Sequence, residues 1–185
     1  LNMFILRLKV TVEGLENIPL DSPLVVYSNH KSYTDAFSIL EFFPRPLTLT
    51  PKKSVMKIPI VNLWLKSYDV FPINRSNHRE TAKDLDKAIQ TVKNGHAILL
   101  FPEGSIGDRL KDQVNTMKAG SFKLALKSGA NILVVKLEGN DLVRRRAPFK
   151  ISYRKVVIKP LIMHESIANM STQEIANLVM DTINK

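Results

Sequence analysis

The sequence predicts an α/β fold with a mostly parallel, mixed sheet flanked by helices. Short apolar runs of strand length alternate along the chain with segments of helical periodicity. Two of the runs, Ala97–Phe101 and Ile132–Leu137, are apolar enough to be strands buried on both faces. The 185 residues, 44% of them hydrophobic, suit a single domain over 1–185 with a sizeable core.

Six segments have the pattern of strands. Leu6–Val12 alternates between apolar and polar residues, as a half-buried strand does. The last run, Ile151–Ile158, is expected to be antiparallel or to lie at an edge. The predicted strands are Leu6–Val12, Leu24–Tyr27, Asp69–Ile73, Ala97–Phe101, Ile132–Leu137 and Ile151–Ile158.

Three segments have helical periodicity between and after these strands. In the first, apolar residues recur on one face, Asn77 and Glu80 form a possible cap, and a glycine follows. The last begins with the capping-box pair Ser171 and Glu174. The predicted helices are Asn77–Asn94, Thr116–Lys127 and Ser171–Ile183.

The composition excludes several classes of protein. The chain has no cysteine, so disulfide frameworks, thiolate zinc sites and thiol nucleophiles are ruled out. Its four histidines lack the helical i, i+4 spacing of a metal site, and no metal is expected. No run approaches the roughly 20 apolar residues that span a bilayer. The sequence begins at Leu1 rather than methionine, which leaves room for a membrane segment upstream.

The net charge of +10 is concentrated in two segments. Phe42–Tyr68 contains five basic residues and Leu142–His164 contains seven, and neither contains an acidic residue. They are either solvated basic surfaces or the binding surface for an anionic partner, such as a phosphate-bearing lipid or a nucleic acid.

The sharpest local pattern is Asn29-His30-Lys31-Ser32-Tyr33-Thr34-Asp35, which directly follows an apolar strand. Open α/β sheets bind ligands in the loops at the carboxyl ends of their strands. His30 can take a proton from a hydroxyl if Asp35, in the first turn of the next helix, fixes its tautomer. From the spacing alone, Ser32 and Asp35 equally fit a helix cap, with His30 an ordinary loop residue.

Two further patterns each end a strand. In Phe101-Pro102-Glu103-Gly104-Ser105 the chain turns sharply with Glu103 at the tip. This is no nucleophile elbow, because Glu103 stands where that motif has glycine, and a plain turn is the alternative. In Val70–Arg75 the strand closes on Arg75, which either binds a phosphate in a bidentate fork or caps a surface.

Together and in this order, the blocks resemble the lysophospholipid acyltransferases, the 1-acylglycerol-3-phosphate acyltransferase family. The resemblance covers about residues 8–160 and implies a glycerolphosphate-acyltransferase-like fold. Lys52–Pro59 and Lys118–Gly120 are also similar to the family's linking segments. The four matching blocks are Asn29–Asp35, Phe71–Arg75, Phe101–Gly104 and Val134–Gly139.

The resemblance implies an O-acyltransferase of phospholipid biosynthesis. In it His30, oriented by Asp35, deprotonates the acceptor hydroxyl, which attacks the thioester of acyl-CoA or an acyl carrier protein directly. The expected acceptor is 1-acylglycerol-3-phosphate, and the expected product is phosphatidic acid. No cofactor beyond the thioester co-substrate and no covalent enzyme intermediate are needed. The acceptor-binding residues implied are Lys53, Arg75, Glu103, Gly104, Ser105 and Arg109.

The sequence departs from the family at Ile106. The family usually has an arginine there, which helps to hold the acceptor phosphate, and isoleucine cannot bind an anion. Either Arg109 reaches back across the intervening glycine, or the acceptor carries a different head group.

The resemblance also implies an anionic membrane surface as a partner, at the cytoplasmic face. The chain would be peripheral or anchored by an N-terminal segment outside this sequence. Ile58–Leu65 is an apolar stretch with a tryptophan and flanking lysines. It suits a membrane interface, but equally a core helix or the wall of an acyl-chain groove.

The sequence leaves two other hypotheses for the function. A nucleic-acid-binding module would explain the charge, but it lacks interleaved aromatic residues and leaves the motif blocks unexplained, so no nucleic acid is expected. A non-catalytic lipid-binding relative is disfavoured by the intact His30–Asp35 pair.

Overall fold

The computed structural model describes residues 7–32, 34–51, 55–57, 65, 70, 78–106, 113–139 and 151–185. Its strands are β1 (Leu8–Glu13), β2 (Leu24–Ser28), β3 (Leu47–Leu49), β4 (Ala97–Leu100), β5 (Asn131–Glu138) and β6 (Ser152–Ile158). They form one six-stranded sheet in the order β1-β6-β5-β2-β4-β3. Strands β2 to β5 are mutually parallel, whereas β6 pairs antiparallel with β5 and parallel with β1. The predicted mixed, mostly parallel sheet is confirmed.

Helices cover both faces of the central strands. The described helices are α1 (Asp35–Leu40), α2 (His78–Lys93), α3 (Lys123–Ser128), α4 (His164–Ile167) and α5 (Thr172–Asn184). Buried residues of α2, α3 and α5, such as Val92, Ala125 and Val179, pack in one cluster with Val25 and Ile132 of the sheet. On the other face, Ile39 of α1 packs in a second cluster that includes sheet residues such as Val26 and Leu133. Within the described ranges, no helix is both long and apolar enough to cross a membrane.

The strand predictions agree with the sheet where the residues are described. The predicted central strands at 24–27, 97–101 and 132–137 match β2, β4 and β5 to within one residue at each end. The last strand is antiparallel to β5, as one alternative had it, but it is not at an edge because β1 flanks it. The strand β3 was not predicted from the sequence, and the predicted strand Asp69–Ile73 lies outside the described residues apart from Val70.

The C-terminal helix is confirmed, whereas the predicted start of the helix at Thr116 is wrong. Ser171 caps α5 by accepting a hydrogen bond from Glu174 N, and the Glu174 carboxylate accepts one from the Ser171 amide. The helix expected from Thr116 begins only with a 3₁₀ turn at Ala119, because Lys118 is extended and its amide donates to Pro102 O. Asn77, the expected cap of the first helix, is outside the described residues.

Candidate active site

The site lies where the chain leaves two adjacent parallel strands. β2 is hydrogen-bonded to β4 on one side and to β5 on the other, so the carboxyl ends of all three strands meet at one edge. His30 follows β2 and Glu103 follows β4. In open α/β sheets this edge, outside the carboxyl ends of the strands, is where ligands bind.

His30 and Asp35 form the pair that the sequence predicts. His30 Nδ1 lies 3.0 Å from Asp35 Oδ2. Because a carboxylate only accepts hydrogen bonds, Nδ1 carries the proton and Nε2 keeps its lone pair. The His30 side chain is 22% exposed and that of Asp35 is fully buried. The pair therefore has a solvent-reachable base and a partner shielded from water.

Asp35 also holds the loop that carries His30. Its Oδ2 atom accepts hydrogen bonds from Lys31 N at 2.7 Å and from Ser32 N at 2.8 Å. The residue that caps α1 is Thr34, and it makes no side-chain cap bond. Helix capping and pairing with His30 are the alternatives for Asp35, and Oδ2 makes the contact that each of them predicts, with Ser32 N and with His30 Nδ1. The same carboxylate thus fixes both the imidazole and its loop.

Two neighbouring side chains define the position of His30 further. Asn29 is fully buried and pairs with the backbone of Leu137 in β5, donating to its carbonyl at 2.8 Å and accepting from its amide at 2.7 Å. The ring of Phe101 stacks on the imidazole, with the centroids 4.2 Å apart and the planes 22° apart. The imidazole is thus held by the residue that follows β4 as well as by its own loop.

Glu103 contacts the loop that carries His30 directly. Its Oε1 atom accepts a hydrogen bond of 2.6 Å from His30 N. Partial burial raises the pKa of the Glu103 carboxyl, and the hydrogen bond from His30 with the nearby positive charges opposes that rise. This structural contact was not anticipated from the sequence, and the implied role of Glu103 in acceptor binding stays a prediction.

The turn after Glu103 is covered by a lysine. Gly104 has φ +79°, and a Cβ atom there would lie 2.7 Å from Lys118 Nζ and Cε, so the lysine stem crosses the turn. Ser105 is exposed and Ile106 is half-buried. The sequence identifies Lys118 only as part of a linking segment similar to the family's. Its proximity arises because Lys118 N is bonded to Pro102 O.

Several predicted residues cannot be placed. Lys53, Arg75 and Arg109 lie outside the described residues, and their roles at the acceptor stay predictions. Of the apolar stretch Ile58–Leu65, only Leu65 is described, and it is buried.

The prediction of an exposed basic surface is wrong for Arg154, one residue of the second basic segment. Arg154 was counted with the charges that face solvent or an anionic partner, but it is 1% exposed. It points to the same side of β6 as the buried residues Val156 and Ile158, and its guanidinium reaches Asp35. A charged residue in an inward-facing position of an alternating strand was the signal available in the sequence.

Comparisons with known proteins agree with the geometry. The profile of the acyltransferase family matches residues 9–138. The chain is 30% identical to a 1-acyl-sn-glycerol-3-phosphate acyltransferase of Borreliella burgdorferi, over all of this chain and 74% of that protein. It is 28% identical to a chloroplastic enzyme of the same name from Arabidopsis thaliana, over 95% of this chain and 49% of that protein.

A solved structure extends the likeness to the fold. The crystal structure of the 1-acyl-sn-glycerophosphate acyltransferase from Thermotoga maritima matches with a TM-score of 0.79 and 27% identity, over 96% of this chain and 70% of that one. The matched family segment contains His30, Asp35 and the Glu103 turn. The chain belongs to the acyltransferase family that includes the 1-acyl-sn-glycerol-3-phosphate acyltransferases.

Proposed function

We propose that this chain transfers a fatty acyl group from an acyl thioester to the free hydroxyl of 1-acylglycerol-3-phosphate, giving phosphatidic acid. The observation that carries the proposal is the His30–Asp35 pair at 3.0 Å, on a loop tied to both neighbouring strands. The acceptor is taken from the names of the relatives from Borreliella burgdorferi and Arabidopsis thaliana.

The pair suits a direct transfer. Nε2 of His30 takes the hydroxyl proton while the oxygen attacks the thioester carbonyl. The carbon–sulfur bond then breaks, and the proton on His30 passes to the leaving thiolate. Asp35 stabilises the imidazolium between the two proton transfers. The donor is acyl-CoA or an acyl carrier protein thioester, and this scheme uses no other cofactor.

The acceptor is a lipid, so the site must work at a membrane surface. The net charge of +10 favours a surface rich in anionic lipids. Such lipids are concentrated in the cytoplasmic leaflet, where we place the encounter.

Lys118 is our candidate for the cation that binds the acceptor phosphate. Ile106 occupies the position where the family usually has an arginine, whereas the Lys118 side chain crosses the turn at Gly104. Lys118 is exposed and forms no ion pair with the described acidic residues. An ammonium in this position is available to a phosphate next to the catalytic loop.

The acceptor can be tested together with Lys118. With acyl-CoA and acyl carrier protein donors, we expect lysophosphatidic acid to react faster than lysophosphatidylcholine or monoacylglycerol. Lys118→Met should raise KM for lysophosphatidic acid by about tenfold, because a charge-assisted contact is lost. Its KM for the donor should not change.

Lys127→Met is the matched control, because Lys127 is an exposed lysine on α3. It should behave as the wild type in the same assay. Equal rates with all three acceptors would refute the assignment of the acceptor. An unchanged KM in Lys118→Met would refute only the role of the lysine.

Glu103 can be tested by separating its hydrogen bond from its charge. Glu103→Gln keeps an oxygen that accepts from His30 N, so we expect kcat within about threefold of wild type. Glu103→Ala should lower kcat about tenfold or more, because the amide of His30 loses its acceptor. Steady-state kinetics of both variants check this, and a large rise of the acceptor KM in Glu103→Gln would instead indicate that the charge binds substrate.

A further inference from the structure

A buried arginine lies behind the catalytic pair. Arg154 stands on β6 between Ser152 and Val156, on the face of the strand that points into the molecule. It is 1% exposed and is among the largest fully buried side chains of the described residues. The alternation of buried and exposed residues along β6 predicts an apolar residue at this position. A charge held there must be compensated by specific partners.

Among the described residues, the side-chain partners of Arg154 lie at the start of α1. Nη1 donates to Ser38 Oγ at 2.6 Å, and Nη2 donates to Thr34 Oγ1 at 3.0 Å. Nη1 also lies 3.4 Å from Asp35 Oδ1. The planar guanidinium therefore holds residues on both sides of Asp35 and the carboxylate itself.

The two oxygens of Asp35 have separate partners. Oδ2 faces the catalytic loop and contacts His30 Nδ1, Lys31 N and Ser32 N. Oδ1 is buried and accepts no hydrogen bond in the described part of the chain. Its negative charge is therefore compensated by the guanidinium of Arg154, on the side of Asp35 away from the loop.

We infer that Arg154 is a positioning residue of the acyl transfer, which holds the Asp35 carboxylate turned so that Oδ2 meets His30. This inference rests on the proposed function, because it assigns Arg154 a task in the same catalytic pair. The task differs from a purely structural one, since removing the positive charge must change how the pair binds protons.

In the part of the chain that the structure describes, the charged and titratable groups around Asp35 come from three elements. His30 and Lys31 belong to its own loop, Glu103 to the turn after β4, and Arg154 to β6. Burial lowers the pKa of Arg154, and the Asp35 charge opposes this. Loss of the guanidinium charge beside the buried Asp35 should make the His30–Asp35 pair hold its proton to a higher pH.

The test compares Arg154→Met, which removes the charge at similar length, with Arg154→Lys, which keeps the charge without the fork. We expect kcat to fall about a hundredfold in the first and about tenfold in the second. KM for both substrates should stay within about twofold. The acid limb of the kcat profile should move up by about one pH unit in Arg154→Met only.

A second readout requires no turnover. The imidazole resonance of His30, assigned by its absence in His30→Gln, can be titrated by NMR, because the chain has only four histidines. Its midpoint should rise by about one pH unit in Arg154→Met and stay near that of the wild type in Arg154→Lys. This measurement still decides the role of Arg154 if the wild type fails to acylate any lysolipid, which would refute the proposed function separately.

Val156→Ala is the control for a structural effect, since Val156 is buried on the same face of β6. It should leave both the acid limb and the His30 midpoint in place. An unmoved midpoint in folded Arg154→Met would overturn the inference. If that variant does not fold, Arg154→Lys decides: a folded protein with wild-type kcat overturns the inference, and a fall in kcat at unchanged KM supports it.

Discussion

Replacing His30 with alanine is expected to lower kcat for acyl transfer by at least about a thousandfold, because the proposed general base is removed. The fold should be unaffected. The loop is held by hydrogen bonds of the backbone amides of His30, Lys31 and Ser32, and none of these uses the imidazole. Steady-state kinetics and circular dichroism of the purified variant test both statements.

His96→Ala provides the matched comparison for this variant. His96 is half-buried and directly precedes β4, at the opposite end of that strand from Glu103. We expect wild-type turnover from it. A His30→Ala protein that keeps more than about a tenth of the wild-type kcat would exclude His30 as the general base.

Replacing Asp35 with asparagine is expected to damage both catalysis and stability. The asparagine amide cannot pair favourably with both the loop amides and the Arg154 guanidinium. With its oxygen toward the loop, its NH₂ group faces the Arg154 guanidinium, and in the reverse orientation it faces the amides of Lys31 and Ser32. Breaking a buried ion pair in this way costs about 3–5 kcal/mol. Catalysis should fall by about 10³- to 10⁴-fold, because the tautomer of His30 is no longer fixed.

Chemical denaturation at neutral pH measures the stability effect, with Asp86→Asn as the control. Asp86 is exposed on α2, so its substitution should change the free energy of unfolding by less than about 0.5 kcal/mol. His30→Ala should resemble this control in stability while resembling Asp35→Asn in activity. A stability loss below about 1 kcal/mol in Asp35→Asn would contradict the interpretation of Asp35 and Arg154 as a buried ion pair.

The parts of the fold that the sequence predicted are those determined by local pattern. The apolar runs of β2, β4 and β5 are buried on both faces, and the Ser171–Glu174 cap is complete within four residues. The strand β3 was missed because its three residues, Leu47–Leu49, are too few for a periodicity. The start of the helix near Thr116 was misplaced because Lys118 N is bonded to Pro102 O in a different turn, which no local pattern reveals.

In the candidate site, too, contacts between residues close in sequence could be predicted, and contacts that depend on strand pairing could not. His30 and Asp35 are five residues apart, so the sequence alone predicts that one loop brings them together. Arg154 is bonded to Thr34 across a separation of 120 residues, and only the pairing of β6 beside β5 brings the two together. The contact of Glu103 with His30 N likewise depends on the adjacency of β2 and β4.

Several side-chain hydrogen bonds that hold the loop carrying His30 are made to main-chain atoms. Asp35 binds the amides of Lys31 and Ser32, Glu103 binds the amide of His30, and Asn29 binds the peptide groups of Leu137. Every residue except proline supplies such an amide. Substitutions at positions 31 and 32 therefore leave these main-chain bonds in place, whereas substitutions of Asn29, Asp35 or Glu103 remove them, because these residues contribute through their side chains.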